Sequence, residues 1–246
     1  MKIALLGYGK MGKELEQIAL ERKHEIILKV DDKSFNDDDI SKLEKADAAL
    51  EFSVPDAAFP NIVHCIESGV PVVSGTTGWL EKMEKVKSLC ANRNGTFFYS
   101  PNFSIGVNIL FELNRKLAEM MSTQKNYEPF INEVHHVHKK DKPSGTAIKL
   151  AEDIIRSEGL KKNWKVSEVK ISENSNVKVG EELIIFSERV DEVPGMHEVK
   201  YFSADDEIMI SHHAKSRRGF ALGAILAAEW LQGRRGVFGM NDMLKL

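Results

Sequence analysis

Cysteine is almost missing from this 246-residue sequence, which holds only Cys65 and Cys90. Each lies in a stretch that reads as helical and neither belongs to a CxxC pair. The sequence therefore offers no disulfide framework and no thiolate metal site, and both read as small packing residues in a reducing, cytoplasmic setting. A basic surplus is missing too. With 34 Lys and Arg against 37 Asp and Glu, the formal charge is -3, which excludes a nucleic-acid binder working by bulk charge and leaves any basic site to be local. No apolar run approaches the roughly 20 residues that span a bilayer. The opening stretch reaches Gly7 too early for a secretory signal, so neither membrane nor export is expected. The 7 prolines and 17 glycines, with 42% hydrophobic and 29% charged residues, lie in the ordinary globular range and make no case for disorder or a fibre. What remains is a chain long for one core and short for two independent ones, for which a two-lobed arrangement with a cleft is the natural expectation.

From residue 1 to about 104, short apolar runs alternate with helical patterns, the signature of βαβ units feeding a parallel sheet. The strand-length runs are Lys2–Leu6, Glu25–Val30, Ala46–Ser53, Val70–Ser74 and Thr96–Ser100. Between them, Met11–Arg22, Asp56–Ser68 and Leu80–Ala91 carry apolar residues at helical spacing. After Gly106 the pattern changes to a helix over Val107–Met121, a strand over Pro129–Val137 and a helix over Thr146–Ser157. Three more strands follow, Glu182–Val190, His197–Ser203 and Glu207–Ala214, joined by turn-rich segments. Strands without alternating helices predict an open mixed sheet, largely antiparallel. The last helical segment, Arg217–Leu231, has small residues at Ala221, Gly223, Ala224, Ala227 and Ala228 that allow close packing, so it is expected to return to the first domain. The fold class is then α/β: a Rossmann-type parallel sheet domain from residues 1–104 plus 217–246, with an inserted α+β domain over 105–216. The acidic cluster Asp37-Asp38-Asp39 reads as a solvated loop or a helix start.

Gly7-Tyr8-Gly9-Lys10-Met11-Gly12 forms a GxGxxG pattern that follows the first strand and opens a helix. Alone this is weak, since glycines recur in any turn, but here Asp31 stands at the end of the second strand, where a ribose-binding acid is needed. Gly7 would allow the tight turn, Gly9 the approach of backbone N–H groups to a pyrophosphate, and Gly12 close helix–sheet packing. Asp32 follows Asp31 at once, and either could be a surface residue. Gly75-Thr76-Thr77 after the fourth strand and Ser100-Pro101-Asn102-Phe103 after the fifth lie at the carboxyl edge, where open α/β sheets bind ligands. Glu51-Phe52-Ser53-Val54-Pro55 reads as a strand stop before a proline.

The chemically densest stretch runs from Glu133 to Ala147, with His135, His136, His138, Lys139, Lys140, Asp141 and Lys142 followed by Pro143-Ser144-Gly145-Thr146. Three histidines in four positions suggest a metal, but on a strand His136 and His138 face one side and His135 the other, and no companion Cys or HxxxH array exists. No metal is expected. A histidine suited to giving a proton near neutral pH, lysines that fix carboxylates as point charges, and a helix opening at Ser144-Gly145-Thr146 together describe a site for a carboxylate-bearing substrate. The plainer reading is an exposed basic strand followed by a capped helix.

The string Glu133-x-His135-His136-x-x-Lys139-x-Asp141-x-Pro143-Ser144-Gly145-Thr146-Ala147 resembles the signature of the 4-hydroxy-tetrahydrodipicolinate reductase family, also called dihydrodipicolinate reductases. The likeness runs nearly end to end, through the Gly-Thr-Thr-Gly and Pro-Asn-Phe-Ser loops, the Arg189–His197 segment with its Pro-Gly-x-His, and the His212–Phe220 segment. It implies an NADH- or NADPH-dependent reduction of a cyclic dicarboxylate in lysine and diaminopimelate biosynthesis, by a homotetramer assembled through the inserted domain. It further implies His135 as catalytic acid, Lys139 as proton donor or substrate-orienting cation, and His136, Ser144, Gly145 and Thr146 as substrate-binding residues. On the cofactor side it implies Gly7, Tyr8, Gly9, Lys10, Met11, Gly12, Asp31, Gly75, Thr76, Thr77, Ser100, Pro101, Asn102 and Phe103, with Arg217 and Phe220 as further candidates. Three departures stand out: a GxGxxG loop one residue tighter than the family's GxxGxxG, Val137 where an arginine is common, and Asp31-Asp32-Lys33 without the arginine often found beside the ribose acid. Competing readings are an aspartate or homoserine dehydrogenase-like enzyme, disfavoured by the His135–Ala147 string, and a nucleotide-sensing regulator, for which no partner-binding appendage is visible.

Overall fold

The computed structural model describes residues 1–31, 35–157, 161–167 and 180–246. It divides into two compact units, Met1–Ile105 with Arg217–Leu246, and Gly106–Ser216. Asp32 and Lys33 lie outside the described residues.

In the first unit the chain runs β1 (Lys2–Leu6), α1 (Lys10–Glu21), β2 (Glu25–Val30), α2 (Asp37–Leu43), β3 (Ala48–Glu51), α3 (Pro55–Glu67), β4 (Val72–Ser74), a 3-10 turn (Leu80–Lys82), α4 (Met83–Asn92) and β5 (Thr96–Tyr99). The strands form one parallel sheet in the order β11-β5-β4-β3-β1-β2, whose sixth member is a late strand, β11 (Gly236–Phe238), on β5. Alternate side chains of each strand enter opposite cores, which is why these strands read as continuous apolar runs. Ile3 and Leu5 of β1 pack with Leu15 and Ile18 of α1 and with the later helix α7 (Arg218–Trp230), while Ala4 and Leu6 pack with Leu43 of α2, Ile62 of α3 and Val86 of α4. The small residues of α7 have a definite use. A Cβ at Gly223 would lie 1.8 Å from the Phe103 carbonyl oxygen, so only glycine lets this helix seat on the loop after β5. Both cysteines are buried in the second core and unpaired, and burial pushes both thiols up.

The second unit contains α5 (Ile105–Met121) from Gly106 onward, β6 (Glu128–His135), α6 (Gly145–Arg156), β7 (Asn163–Ser167), β8 (Glu182–Arg189), β9 (Met196–Phe202) and β10 (Glu207–His213); α8 (Met240–Leu244) closes the chain in the first unit. The sheet order is β10-β9-β6-β8-β7. β6 pairs antiparallel with β9, and β9 with β10, whereas β6, β8 and β7 run parallel. The sheet is thus mixed, with half its pairings parallel rather than largely antiparallel. Ile131, Leu183, Ile185, Val199 and Tyr201 of one face pack against Leu110 and Ala118 of α5 and Leu150 and Ile154 of α6. β6 stops at His135, two residues short of the expected end. There the Val190 N–H donates to the His135 carbonyl at 2.8 Å and the Val137 N–H to the Asp191 carbonyl at 3.1 Å, drawing the chain into a turn. His136 and His138 therefore do not alternate along a strand; His138 is exposed, 2.9 Å from Glu192.

Candidate active site

The first set of candidate residues gathers at the carboxyl ends of β1, β3 and β4, where the strand order reverses around β1 and open α/β sheets receive ligands. Gly7 follows β1 with φ of +97°, and a Cβ on it would lie 2.2 Å from the Phe52 carbonyl oxygen. A Cβ on Gly12 would lie 2.4 Å from the Gly7 carbonyl oxygen, so both positions are closed to any side chain. Gly9, the N-cap of α1, is different: a Cβ there would meet nothing within 4 Å, no side chain caps the helix, and its first turn holds no acidic residue. Two glycines permit close packing and the third leaves helix N–H groups open, the arrangement that accepts an anion such as a pyrophosphate. A cavity of about 390 Å³ opens there, lined by Gly9–Met11, Phe52, Ser53, Pro55 and Gly75–Thr77.

The wall of this cavity is built on a buried carboxylate. Glu51, fully buried at the end of β3, accepts from Ser74 Oγ at 2.6 Å, Thr76 Oγ1 at 2.9 Å, the Ser53 N–H at 3.1 Å and the Ser53 hydroxyl. The Phe52 ring lies against Gly75, where a Cβ would come within 2.2 Å of it. Asp31 is exposed and accepts from the Tyr8 N–H at 3.4 Å, while the Tyr8 hydroxyl meets Glu16 and Lys29. Ser100, Asn102 and Phe103 are drawn into their own loop: the Asn102 N–H donates to Ser100 Oγ at 3.2 Å, the Ser104 N–H donates to Asn102 Oδ1 at 2.9 Å, and the Phe103 ring is in the core. Neither they, nor exposed Pro101, nor Arg217 and Phe220 at the start of α7, line the cavity.

The second set lies in the Gly106–Ser216 unit. Strand register puts Ser187 (β8), Glu133 (β6), His197 (β9) and His212 (β10) side by side across one face, with His135 and Arg189 paired in the next row. Glu133 is fully buried and accepts from the Ser144 N–H at 3.0 Å and 3.1 Å, from the Ser187 hydroxyl and from both Arg189 Nη groups at 3.2 Å and 3.3 Å. Burial alone would raise this carboxyl, but donation from His135, Ser144 and Ser187 outweighs it and holds Glu133 well below the usual carboxylate range. His135 Nε2 lies 3.2 Å from His197 Nε2 and 3.4 Å from Glu133 Oε2. Ser144 Oγ lies 2.9 Å from His197 Nε2. Burial, then the nearby charge of His135, pushes His197 down to about 3, so it is neutral at physiological pH.

Ser144 also caps α6, accepting from the Ala147 N–H at 3.2 Å, and Gly145 carries open space where a Cβ would stand. The first turn of α6 holds no acidic residue, so its free N–H groups suit a carboxylate. Lys139 Nζ contacts both Asp141 carboxylate oxygens at 2.7 Å. Partial burial opposes ionisation of Asp141, but the Lys139 ammonium prevails and lowers it. Arg189 reaches the Lys139 and Asp141 carbonyls, tying the loop that carries this pair to β8.

Nearly the whole chain matches two family models in tandem, "Dihydrodipicolinate reductase, N-terminus" over residues 1–103 and "Dihydrodipicolinate reductase, C-terminus" over residues 106–244. The chain belongs to the dihydrodipicolinate reductase family. A 4-hydroxy-tetrahydrodipicolinate reductase of Christiangramia forsetii is 46% identical over 244 residues, 99% of this chain and 98% of that protein. One of Archaeoglobus fulgidus is 38% identical over 215 residues, 85% of this chain and 79% of that protein. A dihydrodipicolinate reductase structure from Paenisporosarcina sp. TG-14 shares the fold with a TM-score of 0.76 at 21% identity, covering 99% of each chain. The first unit is thus the nucleotide-binding fold of an oxidoreductase, and the glycine geometry above fits a pyridine nucleotide.

Within this reductase, Glu133, Arg189 and His197 stand in the sequence only as members of the family's signature segments, with no role of their own. A usable signal existed: His197, Val199 and Tyr201 alternate on the buried face of β9, and a histidine on such a face needs a partner. Phe52 and Ser53 were passed over because a Phe-Ser before a proline reads as a strand stop. Glu133, His135 and His197 also place one ligand-type atom each within 4.8 Å of one another. The expectation of no metal rested on the local histidines alone and missed this non-local trio. Yet Glu133 already accepts from Ser144, Ser187 and Arg189, and a cation there would face the Arg189 guanidinium, so the trio suits proton chemistry better than metal binding.

Proposed function

We propose that this reductase converts 4-hydroxy-tetrahydrodipicolinate to tetrahydrodipicolinate with NADH or NADPH, a step of the diaminopimelate route to lysine. The observation that carries the reading is the His135 imidazole, held against an ionised, buried carboxylate and next to the open N-terminus of α6. The bound nicotinamide cofactor would supply a hydride. One hydride and one proton enter, a hydroxyl leaves as water, and the ring gains no net charge. His135 supplies the proton where negative charge builds on the acceptor. Lys139, oriented by Asp141, and the open N–H groups at Gly145 and Thr146 hold substrate carboxylates, with Ser144 and His136 assigned to the same site. A dicarboxylate is the substrate class that two anion sites suit, and the Paenisporosarcina reductase binds dipicolinate.

Gly7–Gly12, Asp31, Gly75–Thr77 and Ser100–Phe103 are assigned to the cofactor, with Arg217 and Phe220 as outlying members. The homotetramer is supported by the outer face of the second sheet, where Phe130 meets Phe186 and Phe202 at ring-centroid distances of 5.7 Å and 5.6 Å. It is supported as well by edge strand β10, which exposes 39% of Ile208 and 50% of Met209. No helix among the described residues is long and apolar enough to cross a membrane, and the two buried free thiols favour a cytoplasmic setting. Purified protein mixed with enzymatically generated 4-hydroxy-tetrahydrodipicolinate and NADH should consume the reduced cofactor, followed by its absorbance. Consumption of neither NADH nor NADPH would reject the reading.

A further inference from the structure

We propose that His197 is a positioning residue for the reduction: with Glu133 it holds the Nε2 proton of His135 on the inner side of the site, so that the Nδ1 proton is the one given to substrate. This rests on the reading of His135 as the proton donor. The two edges of the His135 ring have opposite surroundings. Its Nε2 edge is closed by His197 Nε2 at 3.2 Å and by Glu133 Oε2 at 3.4 Å. A neutral His197 whose Nε2 is bare offers one lone pair, shared between this edge and Ser144 Oγ at 2.9 Å, and an ionised Glu133 can only accept. A bare Nε2 on His135 would turn its lone pair toward that carboxylate and toward the His197 lone pair, so Nε2 carries hydrogen. The opposite edge faces Gly195, where a Cβ would lie 2.8 Å from Cε1 and 3.1 Å from Nδ1. Glycine therefore keeps that edge clear of a side chain.

The proton step then balances simply. The Nδ1–H bond of the imidazolium breaks, its electron pair stays on nitrogen, the proton bonds to the substrate, and the neutral Nε2–H tautomer is left with its inner hydrogen bonds unchanged. His197 and Glu133 thus select the product tautomer before the reaction begins, and little reorganises as the proton leaves. The charged or titratable groups around the ring come from every neighbouring strand: Glu133 on β6, Arg189 across from His135 on β8, His197 on β9 with His212 beside it on β10, and Lys139 with Asp141 in the following loop.

The test uses the full-length protein carrying ring-¹⁵N histidine with NADH bound. Long-range ¹H–¹⁵N correlations above the His135 titration, assigned by loss of the signals in His135→Gln, should show Nε2 protonated and Nδ1 bare. In parallel, His197→Phe keeps the ring volume and removes both nitrogens. Its kcat should fall about 10- to 100-fold with KM and NADH affinity changed less than about twofold, and the alkaline limb of kcat should move to lower pH. His197→Gln, which returns an acceptor oxygen, should recover part of the loss. An Nδ1–H tautomer in an active native enzyme, or a His197→Phe enzyme with native kcat and pH limb, overturns the role of His197 alone. Absence of turnover by the native protein overturns the functional reading beneath it.

Discussion

Glu133→Gln keeps the shape of a fully buried side chain and removes its charge, so it isolates what that charge contributes. Besides His135, three groups donate to the carboxylate: the Ser144 N–H, the Ser187 hydroxyl and the Arg189 guanidinium. Hydrogen bonds to a charged acceptor are worth about 1.5–3 kcal/mol and neutral ones about 0.5–1.5. A loss near 1 kcal/mol at each of three donors amounts to about 3 kcal/mol, or roughly 6–12 °C in Tm for a chain of this size. The amide also turns N–H groups toward Arg189, which pushes the loss to the upper end. The pH dependence has a definite sign. The folded carboxyl is held down, so its contribution is complete above the unfolded value of about 4.3 and is lost as pH falls toward the depressed folded value. Thermal melts of both proteins should therefore differ most at neutral pH and converge in acid. A gap under about 1 kcal/mol at pH 7, or one that stays constant into acid, would show that the cage is held by packing and not by the charge.

The remaining predictions concern chemistry and assembly. His135→Gln should lower kcat by about 10²–10⁴ while leaving NADH affinity nearly native, and Lys139→Ala should damage both kcat and KM; steady-state kinetics and cofactor titration separate the two. Since Asp31 lies exposed at the end of β2, its carboxylate should accept from ribose hydroxyls and repel a 2′-phosphate, so NADH should serve at least as well as NADPH; a strong NADPH preference would refute the role of Asp31. Light scattering at micromolar concentration should report four chains, and a monomer would refute the use assigned to the Phe130–Phe186–Phe202 face.

The parallel sheet was legible because each strand is buried on two faces and so stands out as an apolar run between helical patterns. β6 was legible for the opposite reason, its strict alternation, Ile131 and Glu133 in, Phe130 and Asn132 less so. What was missed lacks either signal. β11 is three residues long and exists only because Gly236, Val237 and Phe238 find the open edge of β5. β7 is half-exposed and takes its pairing from β8. The end of β6 was misjudged because Val137 favours a strand locally, while the hydrogen bonds that end it come from Val190 and Asp191, far along the chain.

The site shows the same division between local and non-local information, and the division has a physical cause. Residues that meet ligands announce themselves through local chemistry: glycines in a turn, a histidine beside lysines, a Ser-Gly-Thr helix start. The groups that hold them do not, because a glutamate within an apolar strand carries no local sign of its partners. Glu51 and Glu133 are both fully buried near strand ends, a costly place for a carboxylate unless hydrogen bonds replace its water. Glu51 finds Ser53, Ser74 and Thr76, and thereby joins the ends of β3 and β4 under the Gly75–Thr77 wall. Glu133 finds Ser144, Ser187 and Arg189, and thereby joins β6, β8 and the cap of α6 under His135. Each unit thus uses one acid, a single step removed from the ligand-facing groups, to fix strand ends that backbone pairing alone leaves free. A buried acid whose donors are hydroxyls from distant strands is therefore a sign of positioning that sequence reasoning can seek: a Glu or Asp at the end of an apolar run, with Ser or Thr closing the neighbouring runs.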